Sequence, residues 1–305
     1  MSTLEEGVLE RWPVGYAVWK MARPAQLLLI CLVYSFGVAM AWASVGDVSM
    51  AAVVAGLTAL LPTAASVHYV NEYADHGTDA LTRRTPFSGG SGALSRTGLD
   101  PTFGFVAATV ALGLGLLATA IVVASGLLGF LPVVLLSTIA TLGWAYSVGP
   151  TLAWRGWGEV TNSLLGGIAL PLYGVAVGGG SVTPRTVLAV LPFGLFVFAN
   201  LLATQWPDRA ADARVGKRTL ATRWSRRRLR VAYIVAVVGS LSLFVAFPLF
   251  SVMPAMVGWS CLLVAPAAVV GIQQFTRRES PFVTVVAMVA LAVVQFVGWV
   301  LVAVR

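Results

Sequence analysis

The chain has 305 residues, 58% of them hydrophobic and 10% charged, with a mean hydropathy of +0.86 and a formal net charge of +8. That much apolar surface cannot be hidden in one soluble core, so the composition excludes a soluble globular protein and calls for an integral membrane protein. The positive charge does not call for nucleic acid, because basic loops at a negatively charged inner leaflet account for it.

The N-terminal stretch carries Glu5, Glu6 and Glu10 and lacks the basic start and cleavage site of a secretory signal, so the first apolar segment is expected to be retained. Apolar stretches long enough to cross about 30 Å of hydrocarbon then recur along the chain. Nine are read, at 25–43, 50–70, 102–124, 127–146, 160–177, 187–203, 231–250, 252–272 and 283–304. The fifth reads as short because of its glycines and Pro171, and kinks there are tolerable where neighbouring helices satisfy the freed backbone groups. The expected fold class is therefore all-α, an integral membrane bundle of nine transmembrane helices, reading as a single domain over residues 1–305. Cys31 and Cys261 fall inside apolar segments and read as small packing residues, not as a disulfide or a metal site.

Basic residues set the expected orientation. Of the 20 Lys and Arg residues, all but Arg185 and Arg305 lie before the first span or in loops that follow an even-numbered span. By the positive-inside rule that side is cytoplasmic, which places the N-terminus inside the cell membrane and the C-terminus outside. The run Arg226-Arg227-Arg228 with Arg230 reads as a lipid-facing anchor on the same side.

Two acidic motifs sit where the second and sixth spans end. The first is Asn71-Glu72-Tyr73-Ala74-Asp75-His76-Gly77-Thr78-Asp79 and the second is Pro207-Asp208-Arg209-Ala210-Ala211-Asp212. If each preceding helix runs on, a spacing of four puts Asp75 with Asp79, and Asp208 with Asp212, on one stripe. Like charges so placed repel near a membrane unless something positive sits between them, and Mg²⁺ with a phosphate-bearing substrate is the natural candidate. Glu72 and Glu159 complete an acidic set that makes up half of the chain's 12 acids on one face. Two such clusters suit a diphosphate, and Lys217, Arg84 and Arg209 are the candidate cations for its departing charge. The two loops each open with acids, continue with bases and contain glycine, a hint of an internal repeat that would make the motifs face one another across a common cavity.

Other residues carry less specific signals. The run Pro86-Phe87-Ser88-Gly89-Gly90-Ser91-Gly92 reads either as a backbone approach to phosphate, with Ser88 in contact, or as a flexible loop. Tyr146, Trp154 and Trp157 around Gly149-Pro150 read either as an aromatic wall for a flat substrate or as interfacial anchors. His68 reads as a structural polar residue at a helix end.

The motif Asn-x-x-x-Asp-x-x-x-Asp after span two, Asp-x-x-x-Asp after span six and nine spans together resemble the UbiA superfamily of intramembrane aromatic prenyltransferases. The segments Arg83-Arg84-Thr85-Pro86-Phe87-Ser88-Gly89-Gly90-Ser91, Asp208-x-x-x-Asp212-x-x-x-Gly216-Lys217-Arg218-Thr219-Leu220, and Tyr146-Ser147-Val148-Gly149-Pro150 leading to Gly156-Trp157-Gly158-Glu159 are similar to its 1,4-dihydroxy-2-naphthoate polyprenyltransferase branch in menaquinone synthesis. Arg23-Pro24 before the first span fits as well. The resemblance implies Mg²⁺ held by Asn71, Asp75, Asp79, Asp208 and Asp212, and a polyprenyl diphosphate donor ionised with help from Lys217. It also implies an aromatic acceptor, with Asn71, Glu72, Arg84, Ser88, Tyr146, Glu159 and Arg209 in contact with substrates. Glu72 stands where many relatives have aspartate, and Thr204-Gln205 where this branch often has asparagines. Three rivals are a relative with another acceptor (4-hydroxybenzoate, another phenolic acid, a tetrapyrrole alcohol or a glyceryl phosphate), a membrane terpene cyclase, and a secondary transporter.

Overall fold

The computed structural model describes residues 3–82, 85 and 89–305, so Arg84 and Ser88 lie outside the described residues. Among the described residues, nine helical segments are long and apolar enough to cross a membrane. Two short helices, α1 (Thr3–Arg11) and α2 (Pro13–Met21), precede α3 (Pro24–Val45). Pro13 and Pro24 stand at helix starts, where a missing N–H leaves nothing unsatisfied. Between α2 and α3, Arg23 takes a left-handed conformation with φ 52°, which turns the chain, and its side chain reaches Glu72.

Ser49 caps α4 (Met50–Asp79) by accepting from the Ala52 N–H. This helix has 30 residues. At 1.5 Å per residue it is about 45 Å long, well beyond the hydrocarbon thickness. It therefore does not stop at Val70 and carries the whole first acidic motif as continuous helix. A short α5 (Ala93–Thr97) leads to α6 (Thr102–Ala124), and α7 (Phe130–Ser147) follows a turn through Gly126.

The fifth span is not short. Helices α8 (Gly158–Leu164) and α9 (Leu170–Val177) are joined without interruption by a π-helical turn at Leu165–Ala169. That wider turn comes just before Pro171, which has no N–H to continue the regular ladder. Helix α10 (Pro184–Gln205) begins with a reciprocal Thr183–Thr186 cap and ends before the second motif. After a turn at 206–208 the motif resumes on α11 (Arg209–Arg214), followed by α12 (Leu220–Arg223) and α13 (Arg226–Leu249). The eighth span consists of α14 (Ala255–Ser260), a 3₁₀ turn at Cys261–Val264 and α15 (Ala265–Gln274), and α16 (Phe282–Ala303) is the ninth.

Helix α4 and helix α10, which leads into the second motif, both pack against the fifth span, and α3 packs against α9. Without a hydrophobic drive between helices in lipid, close backbone approach supplies much of the packing, and small residues permit it. A Cβ on Gly37 of α3 would lie 2.0 Å from the Pro171 carbonyl oxygen, and one on Gly174 would lie 2.2 Å from the Tyr34 carbonyl oxygen. Tyr34 and Tyr173 then donate hydroxyl bonds of 2.8 Å to the carbonyls of Val53 and Gly56, tying α3 and α9 to α4. On the other side Gly167 meets Gly194 of α10, where a Cβ would come within 2.5 Å of Cα. We predict that Gly37→Ala separates α3 from α9 and costs about 1–3 kcal/mol, read as a lower melting temperature in detergent; an unchanged melting temperature would refute this packing.

The arginine run is only partly an anchor. Arg227 and Arg228 are exposed, whereas Arg226 bonds the carbonyl of Thr276, and Arg230 bonds the carbonyls of Phe275 and, at 3.2 Å, Ile272. These two arginines satisfy the open carbonyls at the C-terminal end of α15.

Candidate active site

The first motif presents Asn71, Asp75 and Asp79 along one stripe of α4. The Asn71 amide donates to Asp75 Oδ2 at 3.1 Å and lies 3.4 Å from Ser147 Oγ, while its own oxygen accepts from Arg23 at 3.3 Å. Asn71 thus orients Asp75 within the stripe. Asp79 lies against the glycine loop: a Cβ on Gly90, which sits at φ 60°, would be 2.0 Å from Asp79 Oδ2. Only glycine lets the loop backbone come that close to a carboxylate.

Glu72 points a different way from the stripe. It is 3% exposed, pairs with Arg23 at 2.5 Å, and accepts from the Ser91 N–H at 2.8 Å and the Ser91 hydroxyl at 2.6 Å. Both of its oxygens are hydrogen-bonded, so it fastens the glycine loop and the α2–α3 junction to α4. His68 bonds the Ala22 carbonyl at 2.7 Å and holds the same junction. Its role is structural, in mid-helix, since α4 runs on to Asp79.

The second motif meets the first through Lys217. The Lys217 ammonium donates to Asp75 Oδ1 at 2.9 Å, lies 3.9 Å from Asp212 Oδ1, and sits 5.8 Å from the centroid of the Trp154 ring. Lys217 and Asp75 are 11% and 13% exposed, whereas the neighbouring Arg214 and Arg218 are exposed to solvent. Tyr146 stands within electrostatic reach of Lys217, Asp75, Glu159 and Asp212. The Trp154 ring lies beneath Lys217, whereas Trp157 is exposed. An open surface depression beside Lys217 is lined by Ala213, Gly216, Arg218, Thr222 and Arg223.

The local charges explain how these groups titrate. Burial and the neighbouring Asp212 charge push Asp208 up to about 7. Burial pushes Asp212 up to about 6, against the pull of Lys217. Burial alone would lower Lys217, but Asp75, Tyr146 and Asp212 together outweigh it and hold the ammonium charged.

Two other candidate residues have partners within the protein. Arg209 makes paired bonds of 2.9 and 3.0 Å to Glu279 and lies over Trp206, 3.7 Å from the ring centroid. Glu159 is fully buried, and its Oε1 accepts from the Leu220 N–H at 2.6 Å. It fixes the start of α12, three residues after Lys217, and its Oε2 is buried without a hydrogen-bond partner. Sequence reasoning missed Ser91 as Glu72's partner and Glu279 altogether, since Arg277-Arg278-Glu279 reads only as a charged loop.

Mg²⁺ fits this donor set. Among the described residues no three His, Cys, Asp or Glu side chains form a closed cage. Mg²⁺ does not need one, because it usually takes one or two carboxylates and completes its six oxygens with phosphate and water. Asp208 Oδ1 is buried without a hydrogen-bond partner, as a carboxylate awaiting a cation would be.

An all-helical nine-span bundle with two facing acidic motifs at one end is the architecture of an intramembrane prenyl-transferring enzyme. Residues 29–290 match the UbiA prenyltransferase family, and the protein belongs to that family. Among solved structures, a UbiA homolog from Archaeoglobus fulgidus bound to GPP and Mg²⁺ is similar at 14% identity and TM-score 0.68, over 95% of this chain and 100% of that one. An apo UbiA homolog from Aeropyrum pernix K1 is similar at 15% identity and TM-score 0.67, over 88% of this chain and 97% of that one. A digeranylgeranylglyceryl phosphate synthase is similar at 12% identity and TM-score 0.62, over 94% of this chain and 98% of that one. At these identities the likeness is one of fold. Comparison with curated proteins gives no significant match.

Proposed function

We propose that this enzyme transfers a polyprenyl group from an allylic polyprenyl diphosphate to an aromatic acceptor, 1,4-dihydroxy-2-naphthoate of menaquinone synthesis being the acceptor its motifs favour. The observation that carries the reading is the Lys217–Asp75 contact, which brings a cation and carboxylates from both motifs to one point. The A. fulgidus homolog's complex with GPP and Mg²⁺ supports the choice of donor and cofactor.

Asp75, Asp79, Asp208 and Asp212 would hold Mg²⁺, with Asn71 orienting Asp75. When bound, the metal supplies charge neutralisation to the diphosphate. Lys217 adds a fixed cation where negative charge grows as the allylic carbon–oxygen bond breaks and its electron pair leaves on the diphosphate. Tyr146 and Trp154 give an aromatic wall, and the apolar spans keep water from the carbon that has lost its leaving group. A ring carbon of the acceptor then forms the new bond to that allylic carbon, and with the naphthoate the carboxyl group departs as CO₂. The charged groups gather at the C-terminal ends of α4 and α10 and are not spread along the spans, which favours transfer chemistry over ion-coupled transport.

The test is purified protein with one prenyl diphosphate and a panel of acceptors, scored by product mass. We expect prenylated, decarboxylated naphthoate. A product from 4-hydroxybenzoate or glyceryl phosphate alone would refute the acceptor, and a cyclised donor without acceptor would refute transfer.

We further propose that the motif end faces the cytoplasm, as the basic loops suggest. In a chain lacking Cys31 and Cys261, single cysteines at Ser95 and Ser251 are expected to label from opposite sides of the membrane. Labelling from the same side would break this orientation.

A further inference from the structure

The six-residue helix α11 carries Asp208 at its N-cap and Asp212 in its first turn. So short a helix does not hold itself, because nucleation costs more than its few hydrogen bonds return. Asp208 Oδ1 has no hydrogen-bond partner, so the aspartate is placed mainly by its backbone.

That backbone is tied from outside at both ends. At the far end the Lys217 N–H donates to the Asp212 carbonyl at 2.9 Å, and the Arg218 N–H donates to the Trp154 carbonyl at 3.1 Å. At the near end the tie is Arg209, the residue after Asp208. Its guanidinium donates to the Trp206 carbonyl at 2.5 Å, lies over the Trp206 ring, and grips both oxygens of Glu279 in the α15–α16 turn. Trp206 itself packs edge-on to Phe275, and Phe275 stacks on Tyr233 at 4.5 Å, so the clamp rests on α15 and α13.

We propose that Arg209 and Glu279 are a positioning pair that pins the break between α10 and α11 and thereby sets where Asp208 presents its carboxylate. The inference rests on the function proposed above. An exposed ion pair is ordinarily weak, and Glu279 is 64% exposed. Here the two-pronged grip and the stacking on Trp206 restrict Arg209 to one geometry, which a lysine ammonium cannot reproduce. Neither residue touches substrate in this account.

The test reads both binding and turnover: the rise in melting temperature produced by Mg²⁺ with geranyl thiodiphosphate, a slowly ionising donor analogue, and the donor KM and kcat. Glu279→Ala and Arg209→Lys are each expected to raise donor KM about tenfold with kcat nearly kept, and to shrink the ligand-induced melting shift, while the ligand-free melting temperature stays close to wild type. The exchange of Arg209→Glu with Glu279→Arg is expected to bring donor KM back to within about threefold. If Arg209 instead contacts the diphosphate, Glu279→Ala leaves KM and the melting shift unchanged and the exchange recovers nothing, which overturns the proposal. A wild-type protein with no melting shift and no product on any acceptor overturns the proposed function, and this role with it.

Discussion

Asp75→Asn and Asp208→Asn are each expected to lose at least about 100-fold in turnover, of order 3 kcal/mol of transition-state stabilisation. The substitution keeps the shape of the side chain and removes the charge that a cation needs. Folding is expected to survive in both. For Asp208 the reason is visible: its Oδ1 is buried without a partner, so the ionised form gains little from the protein itself. Excess chelator is expected to abolish turnover of the wild type, and Mn²⁺ to restore it. Near-normal activity in either variant, or full activity in chelator, would sink the metal assignment.

The same aspartates set the sign of the pH dependence. Burial raises Asp208 to about 7 and Asp212 to about 6 in the folded protein. Their unfolded values lie near about 3.9. Between those limits the folded state binds more protons, so their contribution to metal-free stability falls as pH rises from about 4 to about 7. Mg²⁺ binds the ionised form and must expel those protons, so its apparent affinity is expected to climb over the same window and level off above about 7. Calorimetric titration of Mg²⁺ with the donor analogue at several pH values checks both the rise and the released protons.

Lys217→Ala is expected to depress turnover about 100-fold while the acceptor's KM changes little, because the ammonium's interaction strengthens as charge develops on the leaving diphosphate. The plain alternative is a helix-end or headgroup contact like those of Arg214 and Arg218. The structure separates Lys217 from them, since it turns inward onto Asp75 and Asp212 while they face solvent. Removing it also leaves Asp75 without its cation, which adds to the loss. Lys217→Arg is expected to recover only part of the rate, because a planar fork does not replace a compact point charge. Unchanged turnover with a raised acceptor KM would move Lys217 from ionisation to acceptor recognition.

Where sequence reasoning succeeded and failed follows from the range of the forces involved. Asn71, Asp75 and Asp79 share a stripe because four residues make about one helical turn, a local regularity visible in the letters. The same logic half failed at the second motif, where α10 stops at Gln205 and the aspartates ride on a separate short helix. The fifth span looked too short because glycines and Pro171 read as breakers. A π turn carries the helix through them, and its neighbours at Gly37 and Gly194 use those glycines to pack closely.

By itself the sequence determined the bilayer-spanning architecture, the count of nine and the two acidic clusters. Hydrocarbon leaves no solvent for free backbone groups, so each long apolar stretch has to become a helix wherever it falls in the chain. Tertiary structure alone decided which charged groups meet. Lys217 and Asp75 are 142 residues apart, Arg209 and Glu279 are 70 apart, and Arg23 and Glu72 are 49 apart. Nothing in the local sequence distinguishes the arginine that grips a structural glutamate from the lysine that joins two motifs. Their partners are set by how α3, α4, the fifth span and α10 pack, and a buried charge takes the partner that packing puts beside it.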